Sequence, residues 1–489
     1  MQINLDRYKN KNIHVVGVAG AEGSAIVEFL VAKGIGNITG HDFSVDAAEF
    51  EKNFNNTHLS LNSEERKKAL EHLRSLPIKI NLRNDYLKEA GNADVVFVSQ
   101  VWFKYPANAS LKPLYEKGVE FKTITNLYFE FAPCPIISVT GTNGKTTTSN
   151  LIKSIFVLWE KENSNRKFYF AGNDRQNIQV LDRLEGMKVD DVFLLETSST
   201  QLLLNSGISP HIGIITNITP NHLDDHGTFE NYIKAKESMI DCQGEDDFAV
   251  LSADDEVTAK IAGRHENNAF LFSTERELGE GCFMEGDKAV IKKTGKKVVL
   301  FERRDFKMFG DHNLKNALAA SSAAYLFGVG VETIRAGVSS YVGIRHRLKL
   351  IYNIKGVGYF DDTQATTPEA TVAGLNAFSG ETLLIAGGDD KGMDYTELGK
   401  IINNKVRALI LFPGSASDMI EEVIDKNKVL FEKVETFKDA IEILKKYLIE
   451  GVLKDQSTVL ISPAAAHFYS KFVESSDKDL KEWIKEMKD

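Results

Sequence analysis

Three segments of this chain hold residue types that can handle phosphate. Residues 136–148 read IISVTGTNGKTTT: an apolar run, then Gly141, Thr142, Asn143 and Gly144, then Lys145, Thr146 and Thr147, with a helical stretch following from Ser149 to Leu158. Glycines let a backbone turn sharply and aim N–H groups at phosphate oxygens. The start of the next helix adds partial positive charge. Lys145 can neutralise charge on β- and γ-phosphates, and a threonine hydroxyl can ligate Mg²⁺. The spacing departs from G-x-x-x-x-G-K-[ST] at one place: Val139 stands where the first glycine should fall, and the early glycine is Gly141. A second segment, VFLLETSSTQL at 192–202, puts Glu196 at the end of an apolar strand. Active-site residues of α/β proteins collect there, and a carboxylate can hold Mg²⁺, although a solvated strand-end acid explains Glu196 alone equally well. The third, IITNITPNHLDDHGTFENYIKAK at 214–236, carries Asn217, His222, Asp224 and Lys236. Read singly, each is a surface residue, Lys236 above all, since NYIKAKESMI is an ordinary amphipathic helix.

These residues need elements to position them. Apolar runs recur at 13–18, 94–99, 135–140, 191–196, 212–217, 382–387, 407–412 and 458–463. Nearly continuous apolar strands alternating with helical patterns predict parallel sheets buried on both faces. The expected fold is α/β, with three domains in series over 1–131, 132–344 and 345–489, the central one carrying the phosphate loop. The joints are FAPCP at 131–135 and YVGIRHRL at 341–348. Residues 53–75 read as a surface helix, and 263–305 as a small antiparallel insertion. Gly17, Gly20 and Gly23 form a turn after the first strand, and Asp42 ends the next, a weak nucleotide-binding signal on its own.

Length and composition narrow the class. A chain of 489 residues with 43% hydrophobic and 26% charged residues is globular and of several domains. A net charge of −10 argues against nucleic acid as a partner. Cys134, Cys242 and Cys282 form no C-x-x-C pair, so neither a disulfide scaffold nor a cysteine zinc site is expected. The first residues are too charged for a signal peptide and no apolar run reaches membrane length. A cytoplasmic, monomeric protein without membrane insertion is expected.

In this order the motifs resemble the Mur ligases, ATP-dependent enzymes that add amino acids to a nucleotide-linked peptidoglycan precursor. GTNGKTT at 141–147 has the form of their phosphate loop, and ETSSTQL at 196–202 is most similar to the D-glutamate-adding branch. NITPNHLD at 217–224 with Lys236 matches a further motif. The resemblance implies a Rossmann-like N-terminal domain, a central P-loop ATPase domain and a Rossmann-like C-terminal domain. It also implies ATP and two Mg²⁺ ions, with Thr146, Glu196, His222 and a carbamylated Lys236 holding metal. AGN at 171–173 implies Asn173 near the substrate. FGDHNLKNAL at 309–318 implies Asn313 and Asn316 on the adenine and ribose side, although helix capping also explains such asparagines. GIRHRLK at 343–349 implies Arg347 at the γ-phosphate and incoming amino acid. FDDTQATT at 360–367 implies Asp362 on the ATP ribose and Thr366 on the substrate. AGGDDK at 386–391 implies Asp389 and Lys391, the latter gripping an amino-acid carboxylate. Gly20 and Asp42 would serve the uridine side of a UDP-linked muramoyl substrate.

Three departures stand out. The family's S-P-G motif is absent, and 99–106 read SQVWFKYP; its lysine in D-S-K-A-T is Gln364; and SPAAAH at 462–467 replaces a serine with His467. The implied activity is ATP-dependent addition of D-glutamate to UDP-N-acetylmuramoyl-L-alanine through an acyl phosphate, with Lys145, His222, Lys236 and Arg347 catalytic. The alternatives are a related ligase using another amino acid or carrier, and a nucleotide-binding regulatory protein without chemistry.

Overall fold

The structure, a computed structural model, describes residues 5–488 apart from 101, 173–179, 206, 309, 344–345, 379, 391, 474–477 and 479. Three sheets follow one another along the chain. The first holds β1 to β5 (Ile13–Val16, Ile38–His41, Lys79–Asn81, Val95–Phe97, Glu120–Lys122) in the order β3-β2-β1-β4-β5, all parallel. The second holds β6 to β14 (Ile136–Thr140, Phe168–Ala171, Val192–Glu196, Ile212–Ile215, Phe248–Ser252, Ala269–Ser273, Gly281–Glu285, Lys288–Lys293, Lys296–Glu302) in the order β14-β13-β12-β11-β10-β9-β6-β8-β7. The third holds β15 to β20 (Lys349–Ile354, Val357–Asp361, Thr382–Gly387, Val406–Phe412, Leu430–Lys433, Thr458–Ile461) in the order β15-β16-β20-β17-β18-β19.

The buried apolar strands are where their sequences place them. Every residue of β6, β8 and β9 is buried. In β17 and β18 alternate residues serve opposite faces: Leu383, Ile385, Ala408 and Ile410 join one apolar cluster, and Leu384, Ala386, Leu409 and Leu411 another. Two expectations need correction. Residues 281–302 are antiparallel, but they are no separate insertion: β12 pairs in parallel with β11, so the hairpins extend the edge of the second sheet. The helix expected over 53–75 is two, Ala47–Thr57 and Ser63–Ser75. Asn62 caps the second with its side chain and Glu65 completes the capping box, which starts a new helix there.

The chain packs into two compact units, Met1–Asp305 with Lys315–Val338, and Phe306–Leu314 with Ser339–Asp489. Among the described residues no helix is long and apolar enough to cross a membrane. Within the first unit, the helix Val331–Ser340 braces the helix that leaves the phosphate loop, Lys145–Glu162. Ser154 Oγ donates to Gly337 O at 2.8 Å, and a Cβ at Gly337 would lie 2.6 Å from Ile155 Cα. Gly337→Ala must therefore push the helices apart. It should cost about 1–3 kcal/mol of stability, as overpacking does, read as a lowered midpoint in urea.

Candidate active site

The loop after β6 is a backbone cradle that admits no side chain at its glycines. Gly141 has φ +149° and Gly144 φ +84°. A Cβ on Gly141 would lie 1.9 Å from Thr216 Oγ1, and one on Gly144 2.3 Å from Asn316 Oδ1. Conformation and space thus both demand glycine. The end of β9 laces the loop down. Thr216 Oγ1 donates to Asn143 O at 2.6 Å, Asn217 Nδ2 donates to the same oxygen at 2.9 Å, and Asn143 N donates to Asn217 Oδ1 at 3.0 Å. Thr142 Oγ1 shares a 3.1 Å hydrogen bond with Tyr232 OH, and Thr148 Oγ1 donates to Asn316 Oδ1 at 3.3 Å. Thr147 is buried in the first turn of the helix.

Lys145 folds back over the loop, its Nζ donating to Gly141 O and Thr142 O at 2.9 Å each. Thr146 Oγ1 donates to Glu196 Oε1 at 2.9 Å, so a hydroxyl and a strand-end carboxylate stand side by side, two hard oxygen donors suited to Mg²⁺. His222 has φ +53° at the head of the short helix Leu223–His226. Its side chain is half exposed, with Nδ1 3.4 Å from Asp225 Oδ2. The side chain of Asp224 lies outside the described residues.

Lys236 is not the surface residue its amphipathic surroundings suggest. It is 1% exposed, and its Nζ donates to Gly141 O at 2.9 Å and Thr140 Oγ1 at 3.3 Å. The ring of Tyr232 lies 4.7 Å away. Burial, and secondarily repulsion from Lys145, hold its amine well below the usual lysine range. As an ammonium it would repel a metal ion. As a neutral amine it is a nucleophile fit to take up CO₂ and become an anion. Thr146 and Glu196 thus form a pair of oxygen donors that fits Mg²⁺.

The first sheet's loops lock onto this machinery inside the same unit. Gln100 Oε1 accepts from Ser198 Oγ at 2.7 Å, and Lys104 Nζ lies 2.7 Å from Asp225 Oδ1. Nothing in the sequence signals either contact, because each joins residues about a hundred positions apart. Gly20 heads the helix Ala21–Ala32. Asp42 is 2% exposed, and its carboxylate accepts from Ala19 N at 3.0 Å, Ser44 N at 3.1 Å and Ser44 Oγ at 2.5 Å.

In the second unit the candidates gather at the carboxyl ends of neighbouring strands β16, β20 and β17. Asp362 is buried. Its Oδ1 accepts from Leu348 N at 3.0 Å and its Oδ2 from Ser462 Oγ at 2.8 Å. Burial, then the neighbouring Asp361 charge, push its carboxyl up to about 7 against the hydrogen bonds that favour ionisation. His346 Nδ1 lies 2.8 Å from Asp361 Oδ2, and Arg347 beside it is exposed. Thr366 is half-buried. Asp389 accepts from Lys471 Nζ at 2.7 and 2.8 Å and lies 2.9 Å from His467 Nδ1. Hydrogen bonds from Lys471 and His467 hold its carboxyl below the usual range. Lys471 carries no motif and was not legible in the sequence. Asn173 and Lys391 lie outside the described residues. Asn313 and Asn316 share the helix Asp311–Phe327 and are both buried; Asn313 belongs to the second unit and Asn316 to the first.

A phosphate loop closing a parallel sheet, with a lysine over its mouth and a strand-end carboxylate against its threonine, defines a nucleoside-triphosphate-binding α/β protein. Comparison with known proteins narrows the class. Residues 139–324 match the Mur ligase middle domain, and residues 346–465 the Mur ligase, glutamate ligase domain. The UDP-N-acetylmuramoylalanine--D-glutamate ligase of Caldanaerobacter subterraneus is 33% identical, over 94% of this chain and 94% of the relative. That of Acetivibrio thermocellus is 30% identical, over 94% and 93%. Among solved structures, UDP-N-acetylmuramate-alanine ligase from Thermotoga maritima has a TM-score of 0.55 at 18% identity, covering 94% of this chain and 97% of that one. A pseudomurein peptide ligase from Methanothermus fervidus has 0.54 at 18%, covering 98% and 100%. The chain belongs to the Mur ligase family of ATP-dependent ligases.

Two outcomes are expected of the buried titratable groups. The unfolded chain protonates Lys236 up to about pH 10.4, while the native amine resists the proton. The resulting destabilisation grows as pH falls below that value and vanishes above it. In CO₂-depleted buffer, Lys236→Met should therefore melt higher than the parent at pH 7, with the difference shrinking toward pH 10. For Asp362 the sign is opposite: the native carboxyl keeps its proton to about 7. Parent stability should decline relative to Asp362→Asn from about pH 4 to pH 7 and then level, measured by urea unfolding across that range.

Proposed function

We propose that the protein adds D-glutamate to UDP-N-acetylmuramoyl-L-alanine in cytoplasmic peptidoglycan precursor synthesis. The observation that carries this reading is relatives of that name, 30–33% identical along nearly the whole chain, combined with the intact set Lys145, Glu196, His222 and Lys236 around the loop. In this reading residues 1–131 bind the UDP part, 132–344 bind ATP and 345–489 bind the amino acid.

A carboxylate cannot be aminolysed directly, because it is a poor electrophile and repels nucleophiles. The substrate carboxylate oxygen instead attacks the γ-phosphorus of ATP, the bond to the β–γ bridging oxygen breaks, and ADP leaves. The amine of D-glutamate then attacks the acyl carbon of the acyl phosphate, inorganic phosphate departs, and the amine releases a proton. Lys145 and Arg347 stabilise the charge carried by the transferring phosphoryl group, the dominant contribution in such transfers. Gly141, Thr142, Asn143 and Gly144 seat the phosphates, Thr147 supports the loop, and Asn313, Asn316 and Asp362 serve the nucleoside. Two Mg²⁺ ions, when bound, would neutralise phosphate charge, with Thr146, Glu196, His222 and a carbamylated Lys236 as their protein ligands. In this reading Gly20, Asp42, Asn173, Thr366, Asp389, Lys391 and His467 serve the substrate side. A second reading, another amino acid or carrier, is favoured by Gln364 and by the ion pairing of Asp389 with Lys471 and His467, which changes the cations available to an acidic acceptor.

Phosphate release with ATP, Mg²⁺ and UDP-N-acetylmuramoyl-L-alanine, run against a panel of D- and L-amino acids with product masses, separates these readings. Release with D-glutamate alone and the matching amide is expected; turnover with a different amino acid moves the specificity and keeps the mechanism. Lys145→Ala should lower turnover by about 10²–10³-fold or more in a folded protein. Lys236→Ala should be inactive and regain part of its rate with formate or acetate, which can stand in for the carbamate anion. Unrestored activity in a folded Lys236→Ala protein would count against the carbamate.

A further inference from the structure

The stretch that stands where the family has its S-P-G motif reaches across to both segments that carry candidate metal ligands. Glu196 ends β8, and shortly after it Ser198 Oγ donates to Gln100 Oε1 at 2.7 Å. His222 heads the helix Leu223–His226, and within that helix Asp225 meets Lys104, with Nζ 2.7 Å from Oδ1. A hydrogen bond of 3.0 Å between His226 Nε2 and Ser199 Oγ joins the two segments to each other. Gln100 and Lys104 follow β4 of the first sheet, yet both bear on the chain next to Glu196 and His222.

The Lys104 contact has a chemical consequence. The Asp225 side chain is 2% exposed, and its two oxygens face different groups. Oδ1 faces the Lys104 ammonium, and Oδ2 lies 3.4 Å from Nδ1 of His222. A buried carboxylate is costly without a counter-charge, and Lys104 supplies one. A carboxylate beside Nδ1 favours the tautomer with its proton there, which leaves the Nε2 lone pair for a ligand. His222 needs such support. Its φ of +53° is one that a non-glycine residue keeps only where its surroundings hold it, and its side chain is 52% exposed. Lys104 itself is well anchored. It closes the short helix Trp102–Lys104, where Trp102 is buried against Phe121 with ring centroids 5.1 Å apart. Asn108 Nδ2 donates to Trp102 O at 2.8 Å and holds the same turn.

We propose that Lys104 is a positioning residue for His222: by neutralising Asp225 it fixes the carboxylate that orients the imidazole toward a divalent cation. The assignment rests on the reading that His222 is a metal ligand. It makes the metal centre depend on a side chain of the first sheet, so the centre is complete only while the stretch after β4 is seated on the helix Leu223–His226.

Mn²⁺ is the probe, titrated into the full-length protein with a non-hydrolysable ATP analogue and followed by electron paramagnetic resonance. Asp225→Asn should weaken Mn²⁺ binding about 10- to 100-fold, the usual cost of removing a carboxylate behind a metal-ligating histidine. Lys104→Met keeps the stem and removes the charge, and should weaken binding in the same direction. Lys104→Arg restores a cation and should bind as the parent does. In the Asp225→Asn background Lys104→Met should add nothing, because both act through one contact. Urea unfolding of each variant checks that it is folded. Parent affinity in Lys104→Met, an equal loss in Lys104→Arg, or a loss that simply adds to that of Asp225→Asn would overturn the proposal. His222→Ala separates this failure from that of the reading beneath it. Weakened binding in His222→Ala with parent affinity in Lys104→Met removes the role of Lys104 alone. Parent affinity in His222→Ala removes His222 as a ligand and the proposal with it. The titration contains no amino-acid substrate, so its outcome is independent of which amino acid the enzyme adds.

Discussion

Two lysines compete for one carbonyl oxygen. Lys145 Nζ and Lys236 Nζ each lie 2.9 Å from Gly141 O, and no carboxylate is within ion-pair distance of Lys236 among the described residues. Two ammoniums at such separation in a buried site repel strongly, and burial makes an unpaired charge costlier still. Burial, and secondarily the neighbouring Lys145, hold the Lys236 amine well below the usual lysine range. The surrounding structure follows from this constraint. The carbonyl that both lysines share belongs to a glycine whose φ of +149° no other residue adopts comfortably. That glycine packs closely against Thr216, just past β9, and the helix beyond starts at the second glycine. Charge, backbone conformation and packing are therefore set at the same few atoms.

The same atoms explain why the loop is rigid before any phosphate arrives. Asn143 is tied through its N–H and its carbonyl to Asn217, and its carbonyl also to Thr216. A cradle already in shape loses little entropy on binding, and its donors need not reorganise when charge shifts in the transition state. Lys145 Nζ meanwhile donates to Gly141 O and Thr142 O, which keeps the ammonium at the mouth of the loop.

The strand framework was legible because burial on both faces forces continuous apolar runs, and eight such runs are strands here. The loop was legible because its chemistry is local, with glycines, lysine and threonines adjacent in sequence. What stayed hidden is long-range. Burial of Lys236 depends on Thr140 and Tyr232 closing over it, while its own helix reads as amphipathic and solvated. Gln100, Lys104 and Lys471 carry no motif, and their partners lie far along the chain. Asp42 was legible as a residue of consequence, but its hydrogen bonds from Ala19 N and from Ser44 were not.

The second unit shows how a changed motif can redistribute charge without removing it. Gln364 supplies no cation where the family has a lysine, and His467 stands in place of a serine. Yet the loop after β20 brings Lys471 onto both oxygens of Asp389, with His467 Nδ1 on the same carboxylate. The backbone that achieves this is unusual: Ala464 and His467 both have positive φ, at +59° and +61°, and a π-helical turn spans Tyr469–Val473. Non-glycine residues in that region and π turns are costly and concentrate where side chains must be aimed. Because all three groups of the cluster are partly exposed, the ion pair itself contributes little to stability. The strain therefore goes with the placing of Lys471 and His467 on Asp389 at the strand ends, where the ion pair offers little gain in folding to offset it.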